Sequence, residues 1–370
     1  MSEEIPLSAP WLGEREEELA LEALRSGWLA LGPMVDRFEQ ALAERVGARY
    51  VAAVSSGTAG LHLAVRLAGV DSGDEVVTTP FSFVASANCV LYEGAAPVFV
   101  DVDPRTLNLD PRAVEAAITE KTRAILAVDI FGYPAELDAL QGFADEHGLA
   151  LIEDACEALG AEYRGRRVGS FGHPAVFAFY PNKQMTTGEG GAVAVSEEEH
   201  WELLKSLSNQ GRIDSGEWLT HGHLGFNYRL DELSAAVGLA QLERLDEILE
   251  RRSAVAARYA ELLGELDGVE LPAPDDADHV RSWFVYVVLL DEAHDRDTVM
   301  ARLVEDGVAS KPYLPCIHLQ PYWRERFGTS EGMFPVAESA SRRSLALPFH
   351  TRLAGGDQER VAEAVARALR

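Results

Sequence analysis

The sequence predicts an α/β chain: a mainly parallel, doubly wound sheet followed by a smaller α+β unit. Three observations carry this. Between residues 50 and 153, short apolar runs alternate with amphipathic stretches, at the spacing of repeated strand–helix units. The alternation ends after Arg229, where long helical patterns take over. Farther on, the Pro-containing break from Gly268 to Pro274 precedes Ser282 to Leu290, which reads as an antiparallel strand.

The elements follow in order. Residues 14 to 25 are acidic and amphipathic, and Ser26-Gly27 stops them, so a helix is expected. Val35 to Val46 predicts a second helix, stopped at Gly47. Strands are expected at Tyr50 to Val54, Glu75 to Thr79, Pro97 to Val102, Ala124 to Ile130 and Ala150 to Glu153. Helices are expected between them at Ala59 to Ala68, Val84 to Tyr92, Pro111 to Ile118 and Leu137 to His147. An apolar run of strand character ends at Phe179, and Ala192 to Val195 begin another. Asp231 to Ile248 reads as one long helix continuing through Glu250 to Leu263, with further helices at Arg296 to Glu305 and Asp357 to Leu369. The expected division is a large domain over residues 1–249, with an N-terminal arm over about 1–30, and a small domain over 250–370.

Composition excludes several function classes. A net charge of −27 argues against nucleic acid, whose phosphates need clustered Lys and Arg. No apolar run approaches the ~20 residues of a membrane span. The N-terminus lacks the basic and apolar regions of a signal peptide, and the three cysteines, Cys89, Cys156 and Cys316, lie far apart. A cytoplasmic protein without disulfides and without a metal site is expected.

Only four of the 33 basic residues are lysines, and one of them, Lys183, sits in a stretch suited to a reactive amine. Residues 175 to 191 read Ala-Val-Phe-Ala-Phe-Tyr-Pro-Asn-Lys-Gln-Met-Thr-Thr-Gly-Glu-Gly-Gly. The apolar strand ends, Pro181 breaks the ladder, Lys183 follows, and glycines come next. A lysine on such a loop can form a Schiff base with a carbonyl; a solvated loop lysine is the alternative. Ser55-Ser56-Gly57-Thr58-Ala59-Gly60-Leu61-His62 follows a strand and opens a helix, so its amides and hydroxyls suit either a phosphate cup or a plain helix cap. Asp154 ends an apolar strand, where ligands of open α/β sheets bind, or else caps a helix. Phe83 follows a strand and either stacks on a planar ring or packs in the core. In Gly225-Phe226-Asn227-Tyr228-Arg229-Leu230, Asn227 and Arg229 are anion or amide contacts, or a cap with a solvent-facing Arg.

Taken together and in this order, these segments resemble the DegT/DnrJ/StrS family of pyridoxal-phosphate-dependent sugar aminotransferases. The likeness runs nearly end to end. It includes Leu24-Arg25-Ser26-Gly27-Trp28, Glu153-Asp154-Ala155-Cys156, Ser208-Asn209-Gln210-Gly211-Arg212 and Ile317-His318-Leu319-Gln320-Pro321. The resemblance implies an aspartate-aminotransferase-like large domain (fold type I) with a mainly parallel seven-stranded sheet, and a smaller α+β C-terminal domain. It implies pyridoxal 5′-phosphate, alternating with its pyridoxamine form, as cofactor. Lys183 would form the internal aldimine, Asp154 face the pyridine nitrogen and Phe83 stack on the ring. Gly57, Thr58 and Ala59 would cup the phosphate. Asn227 would reach the cofactor phosphate of a neighbouring subunit, making the active unit a homodimer with shared sites. Trp28, Arg212, Tyr313 and His318 would line the entrance, with Arg212 and Lys311 meeting a diphosphate; for His318 a structural role in the small domain is the alternative.

Two positions depart from the family pattern. Ala178 stands five residues before the lysine, where many relatives carry Ser, and Glu157 stands where Gln or His is common. The related dehydratases have His at the lysine position, so Lys183 favours transamination. The implied reaction moves an amino group from an amino acid, L-glutamate above all, to a nucleotide-linked 3-keto or 4-keto deoxysugar in aminosugar or surface polysaccharide synthesis. A lyase or desulfurase on the same fold, or a non-catalytic regulatory relative, are the other readings.

Overall fold

The structure, a computed structural model, describes residues 4–216 and 218–370. Two helices come first, α1 (Glu14–Ser26) and α2 (Pro33–Val46). Gly27 and Gly47 end them, each at φ 74°. In that left-handed region a side chain costs about 1–2 kcal/mol, so these glycines are true stops. Helix α2 lacks a local side-chain cap. The buried carboxylate of Glu232 takes that role, accepting the amides of Gly32, Met34 and Val35 at 2.9, 2.8 and 3.3 Å.

Strands and helices then alternate as β1 (Tyr50–Val54), α3 (Gly57–Leu67), β2 (Glu75–Thr78), α4 (Ala85–Tyr92), β3 (Ala96–Phe99), α5 (Pro111–Ala117), β4 (Thr122–Val128), α6 (Leu137–His147) and β5 (Ala150–Asp154). A short hairpin, β6 (Glu162–Tyr163) and β7 (Arg166–Arg167), leads to β8 (Ala175–Ala178), β9 (Gly191–Val195) and α7 (Glu198–Ser208). Seven of these strands form one sheet in the order β1-β9-β8-β5-β4-β2-β3. The pairs β2–β3, β2–β4, β4–β5 and β5–β8 are parallel, and only β9 runs against its neighbours. Helices cover both faces, which is why β4, β5, β8 and β9 are almost continuously apolar. This is the mainly parallel seven-stranded sheet of the expected fold. The carboxyl ends of β2, β4, β5 and β8 open on one side, where α/β sheets bind ligands.

The rest of the chain contains α8 (Glu232–Glu243), α9 (Leu245–Leu263), β10 (Val269–Glu270), β11 (His279–Val280), β12 (Tyr286–Leu290), α10 (Arg296–Glu305), α11 (Pro321–Phe327), α12 (Pro335–Arg343), β13 (Ser344–Leu347) and α13 (Gly355–Ala368). An antiparallel sheet, β10-β12-β13, shares a core with α9, α10 and α13 built on Tyr259, Tyr286, Leu303 and Val361. Helix α9 joins two cores: Leu245 packs with Phe38 and Phe179, while Tyr259 and Leu263 belong to the smaller one. We place the division between the two units, at residues 249 and 250, inside this helix.

Three expectations need correction. The single helix expected from Asp231 through Leu263 is two helices, broken at Arg244 (φ −121°, ψ 19°). The Arg244 guanidinium is held there by Glu16 and the Trp11 carbonyl, which fixes the bend. The strand expected from Ser282 starts only at Tyr286, because Ser282 is drawn into bonds with the Gly132 carbonyl and Gln184. The strand expected over Pro97–Val102 covers Ala96–Phe99, leaving Val102 in an isolated bridge to Leu109.

Candidate active site

A cavity of about 480 Å³ lies at the carboxyl ends of the central strands. It is lined by Gly57, Thr58, Phe83, Asp154, Glu157, Ala178, Lys183 and Tyr313, so eight residues singled out from the sequence meet in one place.

The cup is built at the start of α3. Ser56 caps the helix, its Oγ accepting the Ala59 amide at 3.1 Å. The cap thus falls to Ser56, leaving Gly57 and Thr58 to face the cavity. A Cβ on Gly57 would lie 2.7 Å from Ala178 Cβ and 3.0 Å from Cys156 Sγ, so no side chain fits there. Gly191, in register with Ala178 on β9, presses from behind: a Cβ there would be 2.6 Å from the Ser56 carbonyl carbon. The helix N-terminus is thereby open to the cavity through Gly57 and Thr58. Ala59 is buried away from the cavity, and its amide is spent on Ser56. Ala178 contributes a methyl group and no hydroxyl to the same wall.

Asp154 is the last residue of β5 and is 4% exposed. It caps no helix. Its Oδ2 accepts the Ser86 hydroxyl at 2.7 Å, and Ser86 is 2.7 Å from Ser82. Its Oδ1 accepts the Cys156 amide at 3.2 Å. Ser82 and Ser86 were not singled out from the sequence; their spacing of four, on entry to α4, was the available signal. Beyond Asp154, the fully buried carboxyl of Asp129 is pushed well above the usual carboxylate range by burial and by the charge of Glu153.

Lys183 follows β8 in a turn closed by its amide and the Tyr180 carbonyl, 2.9 Å. Its side chain is 14% exposed, and Nζ lies 3.3 Å from Glu157 Oε1 and 3.9 Å from the centre of the Phe284 ring. The reading of Lys183 as a solvated loop residue is corrected. The second oxygen of Glu157 accepts the Phe131 amide at 2.9 Å, so this carboxylate has two partners. Gln184, another residue the sequence did not flag, ties the loop down by donating to the carbonyls of Glu157 and Ser282 at 2.5 and 3.1 Å. Phe83 is 59% exposed on the cavity wall, which removes the core-packing alternative.

Seven predicted residues lie apart from this cavity. His318 is fully buried, its Nε2 3.1 Å from Glu338 Oε1 and its ring edge-on to Phe334, so it does not line an entrance. Trp28 is exposed, with its amide on Ser26 Oγ. Lys311 is exposed and pairs through its backbone with Ala346. Arg212 and Arg229 line a second, open hollow with Trp201 and Lys205, where Arg229 Nη1 donates to Asn209 Oδ1 at 3.0 Å. Asn227 is exposed beside them, bridged to Asn209. Ala59 completes the seven. Among the described residues no helix is long and apolar enough to cross a membrane.

The donor set fits a flat phosphorylated aldehyde. Amides at a helix start suit a phosphate, Asp154 suits a protonated ring nitrogen, Phe83 offers an exposed ring, and Lys183 supplies a primary amine beside a carboxylate.

The sequence model described as the DegT/DnrJ/EryC1/StrS aminotransferase family matches residues 10–366. EpsN of Bacillus subtilis (strain 168), named for a pyridoxal phosphate-dependent aminotransferase activity, is 39% identical over 98% of this chain and 95% of its own length. The spore coat polysaccharide biosynthesis protein SpsC of the same organism is 36% identical over 98% and 96%. The crystal structure of S. venezuelae DesV in complex with a ketimine intermediate superposes with a TM-score of 0.93, at 36% identity and full coverage of both chains.

Proposed function

We infer the detailed reaction from one premise: this chain belongs to the DegT/DnrJ/EryC1/StrS aminotransferase family and is a pyridoxal-phosphate-dependent aminotransferase of the sugar aminotransferase type. The reading is transfer of an amino group from an amino acid, L-glutamate in the first instance, to a nucleotide-linked 3-keto or 4-keto deoxysugar. The observation that carries it is the meeting of Lys183, Asp154 and the Gly57–Thr58 cup around one cavity.

The bound cofactor supplies an electron sink for the carbanion formed at the amino acid's Cα. The residues do the rest. Gly57 and Thr58 anchor the phosphate, and Asp154, steadied by Ser86, holds a proton on the pyridine nitrogen. Phe83 stacks on the ring. Lys183 would hold the cofactor through its primary amine and, once freed, would serve as the base that takes the proton from the amino donor's Cα. Glu157 holds that amine beside the ring. Arg212, Lys311, Tyr313 and Trp28 would meet the sugar substrate, and Asn227 of the partner subunit the phosphate, in a homodimer with shared sites.

Cys156 lines the same cavity, yet burial pushes its thiol well above the usual range. That does not favour the desulfurase reading, which needs a thiolate. The test is direct. Purified protein should carry visible cofactor absorbance, and borohydride should fix the cofactor onto Lys183, seen by peptide mapping. Loading with glutamate should bleach the band, and the matching keto sugar nucleotide should restore it. A protein that binds no pyridoxal phosphate, or fixes it elsewhere, overturns the assignment of Lys183.

A further inference from the structure

Arg252, on α9, is 3% exposed and has no carboxylate partner among the described residues. Burial alone pulls its guanidinium down to about 10. Taking an unpaired cation out of water costs several kcal/mol, and an apolar side chain of similar size would fill the same space without that cost. What the guanidinium does instead is hold carbonyls. Nη2 donates to the Lys183 carbonyl at 2.8 Å; Nη1 donates to the Phe284 carbonyl at 3.0 Å and reaches the Trp283 carbonyl at 3.4 Å. These carbonyls come from two segments that the chain separates by a hundred residues of sequence. They are also the two segments that set the lysine's position, because the Phe284 ring is the surface on which Lys183 Nζ rests, 3.9 Å from its centre.

A lysine side chain has four rotatable bonds and no preferred depth of its own. A reacting amine has to be held within about 0.5 Å of its productive place. Root and platform must therefore keep one relation to each other. The planar fork of arginine can bridge both, whereas a single ammonium cannot span the three acceptors in one geometry. Gln184, the next residue, donates to the Ser282 carbonyl and hydroxyl, so the loop and the approach to β12 are already in contact there. Arg252 adds the tie at the lysine itself.

We propose that Arg252 is the positioning residue for Lys183, clamping the lysine's main chain and the Trp283–Phe284 segment together so that the amine enters the cavity at a fixed depth. The proposal rests on the assignment of Lys183 as the cofactor-binding amine. Arg252 touches neither cofactor nor substrate in this scheme.

The experiment uses the full-length protein with cofactor, as wild type, Arg252→Lys and Arg252→Ala. Arg252→Lys keeps the charge and most of the volume, and it decides the matter even if Arg252→Ala does not fold. For Arg252→Lys the expected result is a roughly hundredfold fall in kcat with KM for the amino donor unchanged. The visible dichroism of the bound-cofactor band should weaken. In cofactor-free protein, amides just after Lys183 should exchange faster with solvent, while far-ultraviolet dichroism stays at the wild-type value. Arg252→Ala should regain turnover with millimolar guanidinium and not with sodium at equal ionic strength. Wild-type kcat, band dichroism and amide exchange in Arg252→Lys overturn the proposal and leave Lys183 standing. A uniform loss of thermal stability with unchanged kcat per folded molecule also overturns it. Borohydride fixation on a residue other than Lys183 in the wild type overturns both assignments together.

Discussion

At the floor of the cavity the charged groups are satisfied within one chain: Lys183 has Glu157, and Asp154 has Ser86 and the Cys156 amide. Residues 218–229 differ in kind: Trp218 and Leu224 are 91% and 78% exposed, and Asn227 is exposed as well. The floor is a finished device whose parts hold each other in place. The loop carries large apolar groups at a cost in water that a second surface would remove. In the homodimer proposed above, each chain would supply its own floor and lend this loop to its neighbour.

Four measurements break or sharpen the contrast, taken from the largest expected effect down. Lys183→Ala should abolish turnover and leave the protein colourless, because nothing else on the floor offers a primary amine; residual visible absorbance would show that the floor is not the anchor. Asp154→Asn keeps the shape and one acceptor oxygen but loses the charge and the second acceptor, and kcat should fall by roughly 10²–10³, as expected for a preorganised electrostatic partner. Asn227→Ala should weaken cofactor retention by about 1.5–3 kcal/mol, the usual worth of a hydrogen bond to a charged group. Mixing it with Lys183→Ala should yield hybrid dimers with one intact site, so activity in the mixture tests whether the loop serves the neighbour. Activity no higher than the sum of the two parents would break the shared-site picture.

The smallest effect concerns His318, which the sequence left between the entrance and a structural role and which the structure buries completely. Burial lowers its imidazole pKa below the ordinary 6.5, against the pull of Glu338. The unfolded chain therefore takes up the proton first as pH falls. Stability tied to neutral His318 is complete above about pH 6.5 and is lost progressively below it. His62 and His350 are shifted in the same direction, so His318→Gln should reduce the slope of melting temperature against pH between 6.5 and 5 without removing it. KM for the sugar nucleotide should not move; a change there would return His318 to the rim.

The alternating apolar runs gave the order of strands and helices, and the punctuation by Gly57, Pro181 and Gly188 to Gly191 marked where the cavity residues stand. Local chemistry was enough for this, since each signal lies within a few residues of the element it ends. Pairings over long separations were not legible. Nothing near Gly32 announces that Glu232 will cap α2, and Ile317-His318-Leu319 gives no sign that Glu338 will seal His318 in. Arg252 shares the spacing of Leu245, Ile248, Val255 and Tyr259, so periodicity puts it on the buried face of α9 but does not say what its guanidinium binds there. A hydrophobic pattern reports which face of an element is buried; it does not report which buried polar group will find which carbonyl.

The position of β1 has a consequence for how the protein is made. Its neighbour in the sheet is β9, which enters between it and β8. A ribosome therefore releases β1 long before residues 191–195 exist to pair with it. Until then the first strand has an open edge, and the cup at Gly57 lacks Gly191 behind it. The nascent chain must carry this gap through the synthesis of the five other strands of the sheet, a long-range closure that slows folding and prolongs exposure to aggregation. Cofactor binding competence thus arrives late in translation, when the last strand slides into a place kept open for it.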